Sequence, residues 1–534
     1  MKESILILGA GFMQTPAVNA AKQMGYKAVV VDANPNAVLV PYADIFEPID
    51  LKDRESLLCF AQKLENSGEK IAAVFTAGTD FSSSVAYVAK KMNLPGHSFE
   101  AALNASDKIR MRQCFSSSSV PSPSFQEVCT SDFQDIFSKI REKSFVFPKV
   151  LKPVDNMGGR GCRLVREEKE LKSALETAVK NSRTKRAVLE DYMDGKEYSI
   201  DSVIYNGTLT ITGFADRHIY FPPYFIEMGH TIPSCEDEKI KGELIATFAA
   251  GIKALGLTQG VAKADIKYTK NGPMIGEIAA RLSGGYMSGW TFPYSSGCFL
   301  TQEALKVSLG FEPDYLVKNR VPVKWQCHPS LKDKNPPFEI FELPSTCVSA
   351  ERAWISIPGK IKEIRGLKQA EQSEFVMNVI PRCKEGDTVD FPRNNVEKCG
   401  NIITKAPTRL QAVESAEKAL SQITVFLESS NEKTSNFLWG QGLAEESGFP
   451  PQAFNINLKN ENFPDIQENE SVMKNLPESL KNHLNEKDWN SCSLEKVLQN
   501  FDKFCPEHKK LNGKKFWQAL VKGSLQGVLY AAEN

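Results

Sequence analysis

The sequence predicts a multidomain protein of the α/β and α+β classes, and three observations lead to this expectation. The chain of 534 residues is long enough for several hydrophobic cores. Its first stretch alternates short apolar strands with helical patterns, which is typical of a parallel sheet covered by helices. From about Phe145 to Phe214 the pattern changes to hairpin-like strands.

The composition argues against several classes of function. Lys and Arg number 65 and Asp and Glu number 65, so the chain has no net charge to hold nucleic acid or an anionic membrane. No apolar run reaches the length of a membrane span or a signal peptide. The 12 cysteines form no CxxC pair, which favours reduced thiols over a zinc site or disulfides. We therefore expect a cytoplasmic protein without nucleic-acid or membrane partners.

The N-terminal pattern predicts a Rossmann-like unit. An apolar strand at Ile5–Leu8 runs into Gly9-Ala10-Gly11, and a helix follows. A dinucleotide fingerprint would need a third glycine where Gln14 stands, so a turn without a nicotinamide cofactor is favoured. Asp80 follows a further strand, and residues at the carboxyl ends of parallel strands are placed to contact a substrate.

A lysine strand and a glycine-rich loop come next. The strand Phe147–Pro153 carries Lys152, and the loop after it contains Gly158, Gly159 and Gly161. Such a loop lets backbone N–H groups approach phosphate oxygens, while the lysine adds a positive charge. No helix and no Gly-Lys-Ser/Thr follows, so this is not a Walker A loop. A plain hairpin loop is the alternative.

Three smaller patterns lie on either side of this loop. Ser106 is the predicted N-cap of a helix that carries Lys108. The strand Ala187–Met193 ends in a hinge that could offer main-chain groups to an adenine edge, and Glu197 is placed to accept from ribose hydroxyls. An edge strand with exposed acidic residues is the alternative. Asn206-Gly207 between two strand patterns predicts a hairpin turn.

A second hairpin is the candidate metal site. If it is centred on Asn271, Asp265 lies directly opposite Glu277. Two opposed carboxylates repel each other across a ladder, whereas a bridging divalent cation reverses that repulsion. Mg²⁺ favours carboxylates together with substrate phosphates. Strand alternation places Arg281 on the same face as Glu277. A solvated hairpin face without a metal is the alternative.

The order of these elements resembles the ATP-grasp superfamily over roughly residues 1–428. The lysine strand and glycine loop are followed by Glu190-Asp191-Tyr192-Met193 and then by the hairpin with Glu-x-x-x-Arg. The segment Trp354–Leu427 resembles the C-terminal unit of the biotin carboxylase and carbamoyl-phosphate synthase architecture. Phe225–His230, followed by Pro233, is similar to amino-acid and dipeptide ligases of the superfamily.

This resemblance implies five parts of the chain. Residues 1–105 would form a Rossmann-like pre-ATP-grasp domain, 106–193 the small ATP-grasp subdomain with a phosphate flap, and 194–320 the large subdomain with the magnesium site. Residues 321–428 would form a C-terminal α/β unit with a helix from Leu410 to Leu427. Residues 429–534, rich in Asn, Glu, Lys and Pro, are expected to be a linker and a helical tail of unknown role.

The resemblance also implies roles for individual residues. ATP would be bound by Lys108, Lys152, Gly158, Gly159, Gly161, Glu190, Asp191, Met193 and Glu197. Asp265 and Glu277 would hold Mg²⁺, Arg281, Lys152 and His230 would be catalytic, and Asp80, Glu227, His230 and Arg281 would contact substrate. The family usually has Glu-x-Asn-x-Arg, whereas Ala279 stands here in place of the asparagine. Either one or two Mg²⁺ ions, or Mn²⁺ instead, therefore remain open.

The implied function is an ATP-dependent ligase. It would activate a carboxylate as an acyl phosphate and join it to an amine, giving an amide or peptide bond and ADP. The expected partners are small molecules, namely an amino acid or other small carboxylate and an amine, with a homodimer left open. One alternative is a bicarbonate-activating carboxylase or carbamoyl-phosphate-type enzyme. The other is a non-catalytic ATP-binding regulatory or scaffold protein.

Overall fold

The computed structural model describes residues 3–142, 145–333, 338–440, 448–458 and 463–534. The chain divides into two compact units. The first comprises Met1–His218 and Thr231–Ser349, and the second comprises Ile219–His230 and Ala350–Asn534. Among the helices of the described residues, none is long and apolar enough to cross a membrane.

The first unit begins with a parallel α/β layer, which confirms the predicted fold class. Its strands are β1 (Ser4–Leu8), β2 (Lys27–Val31), β3 (Ile45–Glu47) and β4 (Ile71–Phe75). Its helices are α1 (Thr15–Gln23), α2 (Arg54–Asn66), α3 (Ser82–Lys91), α4 (Phe99–Ser106) and α5 (Lys108–Ser117). The sheet order is β3-β2-β1-β4, with all neighbours parallel.

The helix that carries Lys108 is capped by Asp107 and not by Ser106. Ser106 is the last residue of α4, and its hydroxyl donates to the carbonyl of Ala102 at 2.7 Å. The Asp107 carboxylate accepts from the backbone N–H of Ile109, which is an N-cap contact. The cap prediction is therefore wrong by one residue, because the preceding helix extends to Ser106.

A small antiparallel sheet follows. Its strands are β5 (Phe125–Val128), β6 (Lys149–Pro153), β7 (Arg163–Val165) and β8 (Ala187–Asp191), in the order β5-β8-β6-β7. Its helices are α6 (Phe133–Arg141) and α7 (Glu168–Asn181). Buried Leu151, Leu171 and Leu175 belong to one apolar core shared by the sheet and α7. The glycine-rich loop connects β6 to β7, so its two ends are fixed by neighbouring strands.

A larger antiparallel sheet carries the second hairpin. The next strands are β9 (Gly195–Tyr205), β10 (Thr208–Tyr220), β11 (Ile226–Ile232), β12 (Gly260–Thr269), β13 (Gly272–Ala279), β14 (Val321–Pro322) and β15 (Glu339–Glu342). The helices are α8 (Glu238–Leu255), α9 (Phe292–Ser296), α10 (Leu300–Ser308) and α11 (Asp314–Asn319). In the first unit the order is β13-β12-β9-β10, with β15 parallel to β10. Tyr205 pairs with Thr208 across Asn206-Gly207, which confirms that predicted turn.

Strand alternation gives this larger sheet one apolar and one charged face. Ile200, Ala264, Ile266 and Ile278 are fully buried and pack into one core with Phe248 of α8. The residues between them, including both carboxylates of the predicted metal site, point to the opposite face. Packing of the apolar face thus fixes the strands that present the charged one.

The second unit contains most of β11 and the elements that follow β15 in the chain. These are β16 (Val348–Trp354), β17 (Gly359–Arg365), β18 (Val376–Pro381), β19 (Thr388–Val389), β20 (Gly400–Ala406) and β21 (Thr424–Leu427). Its helices are α12 (Leu367–Glu371), α13 (Arg409–Leu420), α14 (Glu432–Trp439), α15 (Glu478–Lys481), α16 (Leu494–Phe504) and α17 (Gly513–Glu533). The strand orders are β11-β16-β20-β18 and β19-β17-β21.

The helix predicted from Leu410 to Leu427 ends early. It stops at Leu420, and Thr424–Leu427 forms β21 antiparallel to β17. Thr, Val and Phe in this segment favour strand, and the unpaired edge of β17 gives them a partner. The local pattern alone did not reveal that partner.

The described residues after Ser429 form a packed core where the sequence predicted a linker. Phe454, Val472, Leu498 and Trp517 are almost fully buried in one cluster. Helix α17, which spans the predicted C-terminal helix, contributes to this cluster and also to the neighbouring core around Trp354. The apolar residues of this region are too irregularly spaced in sequence to reveal the core.

Candidate active site

The β12–β13 hairpin places two carboxylates opposite each other, as the sequence predicts. Asp265 is the direct ladder partner of Glu277. The turn is tighter than expected, because Thr269 pairs with Gly272, and this register alone would set Asp265 opposite Gly276. A bulge at Gly276 adds one residue to β13 and restores the carboxylate pair.

Arg112 of α5 holds this bulge. Its guanidinium donates to the carbonyl oxygens of Ile275 at 3.3 Å and Gly276 at 2.5 Å, and its Nε donates to Glu190 Oε1 at 2.7 Å. Lys152 Nζ lies 2.7 Å from Glu190 Oε2. Burial raises the pKa of Glu190, but Arg112 and Lys152 outweigh burial and hold that pKa at about 2. One buried carboxylate therefore links the lysine strand to the hairpin.

Two cations surround Asp265. Arg217 Nη1 lies 3.0 Å from Asp265 Oδ1, and Lys263 Nζ lies 2.6 Å from Asp265 Oδ2. Burial raises the pKa of this carboxyl, but Arg217 and Lys263 together hold the pKa well below its usual range. Asp265 is therefore ionised at neutral pH.

Glu277 is less closely paired. Its nearest cation is Lys108, with Nζ 3.8 Å from Oε2. Burial opposes ionisation, but Lys108 and Lys263 lower the pKa of Glu277 below its usual value. Two ionised carboxylates on one sheet face suit a hard cation. The described residues contain no group of three or more His, Cys, Asp or Glu that could hold a metal alone, so phosphate and water would complete the shell.

The glycine-rich loop requires its glycines. Gly158, Gly159 and Gly161 have φ values of 68°, 76° and 70°, which favour glycine strongly. Lys108 Nζ donates to the carbonyl of Asn156 at 3.0 Å, so the lysine that faces Glu277 also contacts the start of the loop. The predicted phosphate loop and the predicted metal site are therefore adjacent.

The predicted adenine and ribose residues lie at the end of β8 and the start of β9. Asp191 is exposed at the end of β8, and the carbonyl of Met193 accepts from Lys267 Nζ at 3.3 Å. Glu197 Oε2 lies 3.4 Å from Lys267 Nζ, and Glu197 Oε1 lies 2.6 Å from Arg217 Nη1. Because Arg217 also contacts Asp265, the ribose candidate and the metal candidate belong to one charged network.

Asp80 and Arg281 meet at the end of β4. The backbone N–H of Gly78 donates to the carbonyl of Leu282 at 3.2 Å and ties the two segments together. Arg281 Nε lies 4.0 Å from Asp80 Oδ1, and both side chains are buried. Within the described residues neither of these two atoms has a hydrogen-bond partner. Buried polar atoms rarely stay unsatisfied, so this pair suits a polar ligand.

Gln14 holds the end of β4 in place. Its side-chain amide donates to the carbonyl of Ala77 at 2.5 Å and accepts from the N–H of Ala77 at 3.1 Å. The carboxylate of Asp32, directly after β2, accepts from the N–H of Ala10 in the glycine turn at 2.8 Å. The glycine turn therefore serves to position Asp80.

Glu227 and His230 lie in the second unit, on β11. His230 is fully buried, and its Nδ1 lies 3.3 Å from Glu351 Oε2 and 3.9 Å from Glu227 Oε1. The backbone N–H of Glu227 donates to Asn395 Oδ1 at 2.8 Å, and the backbone carbonyl of Glu227 accepts from Lys398 Nζ at 2.7 Å. The two predicted substrate residues thus share a buried polar network.

Two segments of the chain match known families. Residues 145–289 match the family described as ATP-grasp domain. Residues 353–428 match the family described as L-amino acid ligase C-terminal domain 2. The order of the two segments is the one that the sequence patterns predict.

The chain therefore contains an ATP-grasp domain and an L-amino acid ligase C-terminal domain 2.

Two relatives extend the similarity of this chain beyond these segments. The uncharacterized protein y4rH of Sinorhizobium fredii is 22% identical over 76% of this chain and 79% of that protein. Carnosine synthase 1 of Gallus gallus is 24% identical over 58% of this chain and 36% of that protein. The 331 matched residues of this chain therefore correspond to about one third of the carnosine synthase chain.

Solved structures agree in fold. The L-amino acid ligase of Bacillus licheniformis has a TM-score of 0.65 at 18% identity and covers 80% of this chain and 100% of that chain. The biotin carboxylase domain of 2-oxoglutarate carboxylase from Hydrogenobacter thermophilus, solved with MgADP and bicarbonate, has a TM-score of 0.57 at 16% identity, covering 80% and 91%. The ATP-grasp fold is confirmed, and MgADP is bound in the Hydrogenobacter structure that shares it.

The sequence patterns did not single out Arg112, Arg217 or Lys263, which contact Glu190 and Asp265. Lys263 was within reach, because it lies two residues from Asp265 on the same face of a strand. Arg112 and Arg217 gave no such signal, since they come from α5 and β10 and meet the hairpin only in the folded chain.

Proposed function

We propose that this chain is an ATP-dependent carboxylate–amine ligase that forms an amide or peptide bond through an acyl phosphate. The observation that carries the proposal is the buried pair of Asp80 and Arg281, 4.0 Å apart and without further partners for the facing atoms in the described residues. The charges of Lys108 and Glu277 also act on Asp80, so the pair is close to the carboxylate hairpin.

The nucleotide would lie along the cations of the first unit. Lys108, Lys152 and the backbone N–H groups of Gly158, Gly159 and Gly161 would bind the triphosphate. Main-chain groups of Glu190, Asp191 and Met193 would contact the adenine, and Glu197 the ribose. In this arrangement residues 106–193 act as the small subdomain and 194–320 as the large one.

Mg²⁺, held by Asp265 and Glu277, would neutralise charge on the phosphate oxygens when bound. Arg281 has a planar fork that suits the transferring phosphoryl group. Its burial keeps water from competing for its N–H groups. These residues hold the substrates in line and need no proton transfer of their own for the first step.

The reaction has two steps. A carboxylate oxygen of the first substrate attacks the γ-phosphorus of ATP, the bond to the β,γ-bridging oxygen breaks, and ADP leaves. The neutral amine of the second substrate then attacks the acyl carbon, and phosphate leaves with the bonding electrons while the amine loses a proton. The glycine-rich loop, closed over the phosphates, would keep water from hydrolysing the acyl phosphate.

An amino acid is the substrate class that we favour. The C-terminal family match and the carnosine synthase relative support it, as does the likeness of Phe225–His230 to amino-acid ligases. Glu227 is our candidate for contact with a substrate amino group, and His230 our candidate general base. Asp80 would contact the substrate beside Arg281.

The test is a pairwise screen of amino acids with Mg-ATP. ADP and phosphate release should depend on both substrates, and mass spectrometry should detect a product lighter than the two substrates by one water. Release that depends on bicarbonate instead would favour a carboxylase. ADP release with no pair above background would favour a nucleotide-binding regulator.

A matched pair of variants ties that activity to the hairpin. Glu277→Gln keeps the shape but removes a metal ligand, so turnover should be lost. Glu238→Gln makes the same change at an exposed position on α8 and should leave turnover unchanged. Full turnover by the Glu277 variant would contradict the proposed site.

A further inference from the structure

Lys263 occupies a central position on the charged face of the large sheet. It pairs in the ladder with Ala279 on one side and with Asp201 on the other. Its Nζ lies 2.6 Å from Asp265 Oδ2, and only 8% of the residue is exposed. A buried lysine therefore lies directly beside the carboxylates that would hold Mg²⁺.

The same face offers few ligands for a second ion. Position 279 lies two residues beyond Glu277 on β13 and faces the site, but alanine has no oxygen to give. The other carboxylates of this face, Asp265 and Glu277, are the two that would hold the first ion. Across the described residues no third carboxylate, histidine or cysteine completes a metal-binding group.

Charge adds to this shortage of ligands. The ammonium of Lys263 lies 2.6 Å from Asp265, whose ladder partner is Glu277, so a fixed positive charge stands beside the carboxylate pair. Ala279 is the ladder partner of Lys263, so a second divalent ion placed beside Ala279 would be repelled at close range by this fixed charge. The ammonium supplies a positive charge at that place without needing ligands.

We propose that Lys263 takes the place of a second metal ion, so that this ligase works with one divalent cation per ATP. This inference rests on the proposed function, because it assumes that Mg-ATP binds at Asp265 and Glu277. The ammonium and Ala279 act as a pair: the small side chain leaves room for the lysine, and the lysine neutralises the carboxylate face.

The stoichiometry of Mn²⁺ tests this proposal without turnover. The full chain is saturated with the β,γ-imido analogue of ATP and titrated with Mn²⁺, which is followed by electron paramagnetic resonance. One Mn²⁺ bound tightly per nucleotide is expected. Two tightly bound ions would overturn the inference and leave the proposed function intact. Failure to bind the nucleotide at all would overturn both.

A double variant tests the role of Lys263 itself. Lys263→Ala combined with Ala279→Asn removes the charge and supplies an oxygen, so a second Mn²⁺ should bind per nucleotide. Lys270→Ala removes a lysine from the exposed turn of the same hairpin and should keep the stoichiometry at one. Melting curves with and without nucleotide verify that each variant is folded. A folded double variant that still binds a single ion would contradict the role given to Lys263.

Discussion

The two units each contain a buried carboxylate surrounded by cations, but the two clusters differ in how fully their groups are paired. In the first unit, Asp265 and Glu277 keep 22% of their side chains exposed, and the atoms of Asp80 and Arg281 that face each other lack hydrogen bonds within the described chain. In the second unit, Glu351 is 1% exposed.

We call the cluster around Glu351 in the second unit closed, because both oxygens of that carboxylate are paired. Glu351 accepts from Asn401, lies 3.3 Å from His230 and is stabilised by the charge of Lys398. Burial raises the pKa of Glu351, but these three neighbours outweigh burial and hold it at about 2. The open cluster has unpaired atoms that could take up an anionic ligand and a metal, whereas the paired Glu351 carboxylate stabilises the fold around His230. Variants in the two clusters should therefore change different measurements.

Glu351→Gln should give the largest effect, and on stability. The change leaves Lys398 and His230 buried beside a neutral group, and breaking a buried ion pair costs about 3–5 kcal/mol. The free energy of unfolding from urea titration should fall by this amount, while nucleotide affinity stays unchanged. Glu363→Gln, in an exposed ion pair with Arg365, is the control and should unfold like the wild type. Lost ligation at unchanged stability would instead indicate that the network serves His230 as a general base.

Lys152→Met should give the next largest effect, and on activity. We propose that Lys152 brings a positive charge to the phosphates, and loss of one such stabilising group costs about 10²–10³-fold in kcat. Steady-state ADP release at saturating ATP measures the change. Lys149→Met, on the same strand but paired with the exposed Asp191, is the matched control. Equal kcat values for the two variants would remove Lys152 from the mechanism.

The open cluster was partly predictable from sequence. Alternation and the Asn271-Gly272 turn predicted that Asp265 faces Glu277, and the structure confirms it. The register that brings the two carboxylates together was not predictable. The turn is one residue tighter than predicted, and a bulge at Gly276 compensates for this. That bulge depends on Arg112, a residue far away in sequence.

The closed cluster and the C-terminal core could not be predicted in the same way. Glu351 and His230 lie on different strands, and no local pattern links them. In the C-terminal region, Phe454 and Trp517 pack together from segments that show no common period. Local periodicity predicts elements, whereas contacts between distant segments decide which polar groups are satisfied.

Asp201→Asn should reveal a pH dependence of stability next to the open cluster, because Asp201 is the ladder partner of Lys263. Burial raises the pKa of Asp201 to about 6, although Ser283 donates to its carboxylate. Because the folded pKa lies above the unfolded one, the folded chain binds the extra proton, and stability falls as pH rises from about 4 to 6. The loss amounts to about 3 kcal/mol. Urea titrations at the two ends of this range should show the slope in the wild type and a smaller one in the variant. Parallel slopes would contradict the raised pKa.

Gly161→Ala in the first unit should give the smallest effect, and on nucleotide affinity. A matching glycine in the second unit serves as its control. A non-glycine residue at φ 70° costs about 1–2 kcal/mol, and the new Cβ would lie 2.8 Å from the Cβ of Asn181. Because the loop is proposed to close over phosphates, this cost should appear as roughly 5–30-fold weaker nucleotide binding in calorimetry. Gly386→Ala in the second unit has a similar φ of 86° and open space around it. It should lower stability and leave nucleotide affinity unchanged. If both variants bind nucleotide equally well, the glycine-rich loop has no part in holding the phosphates.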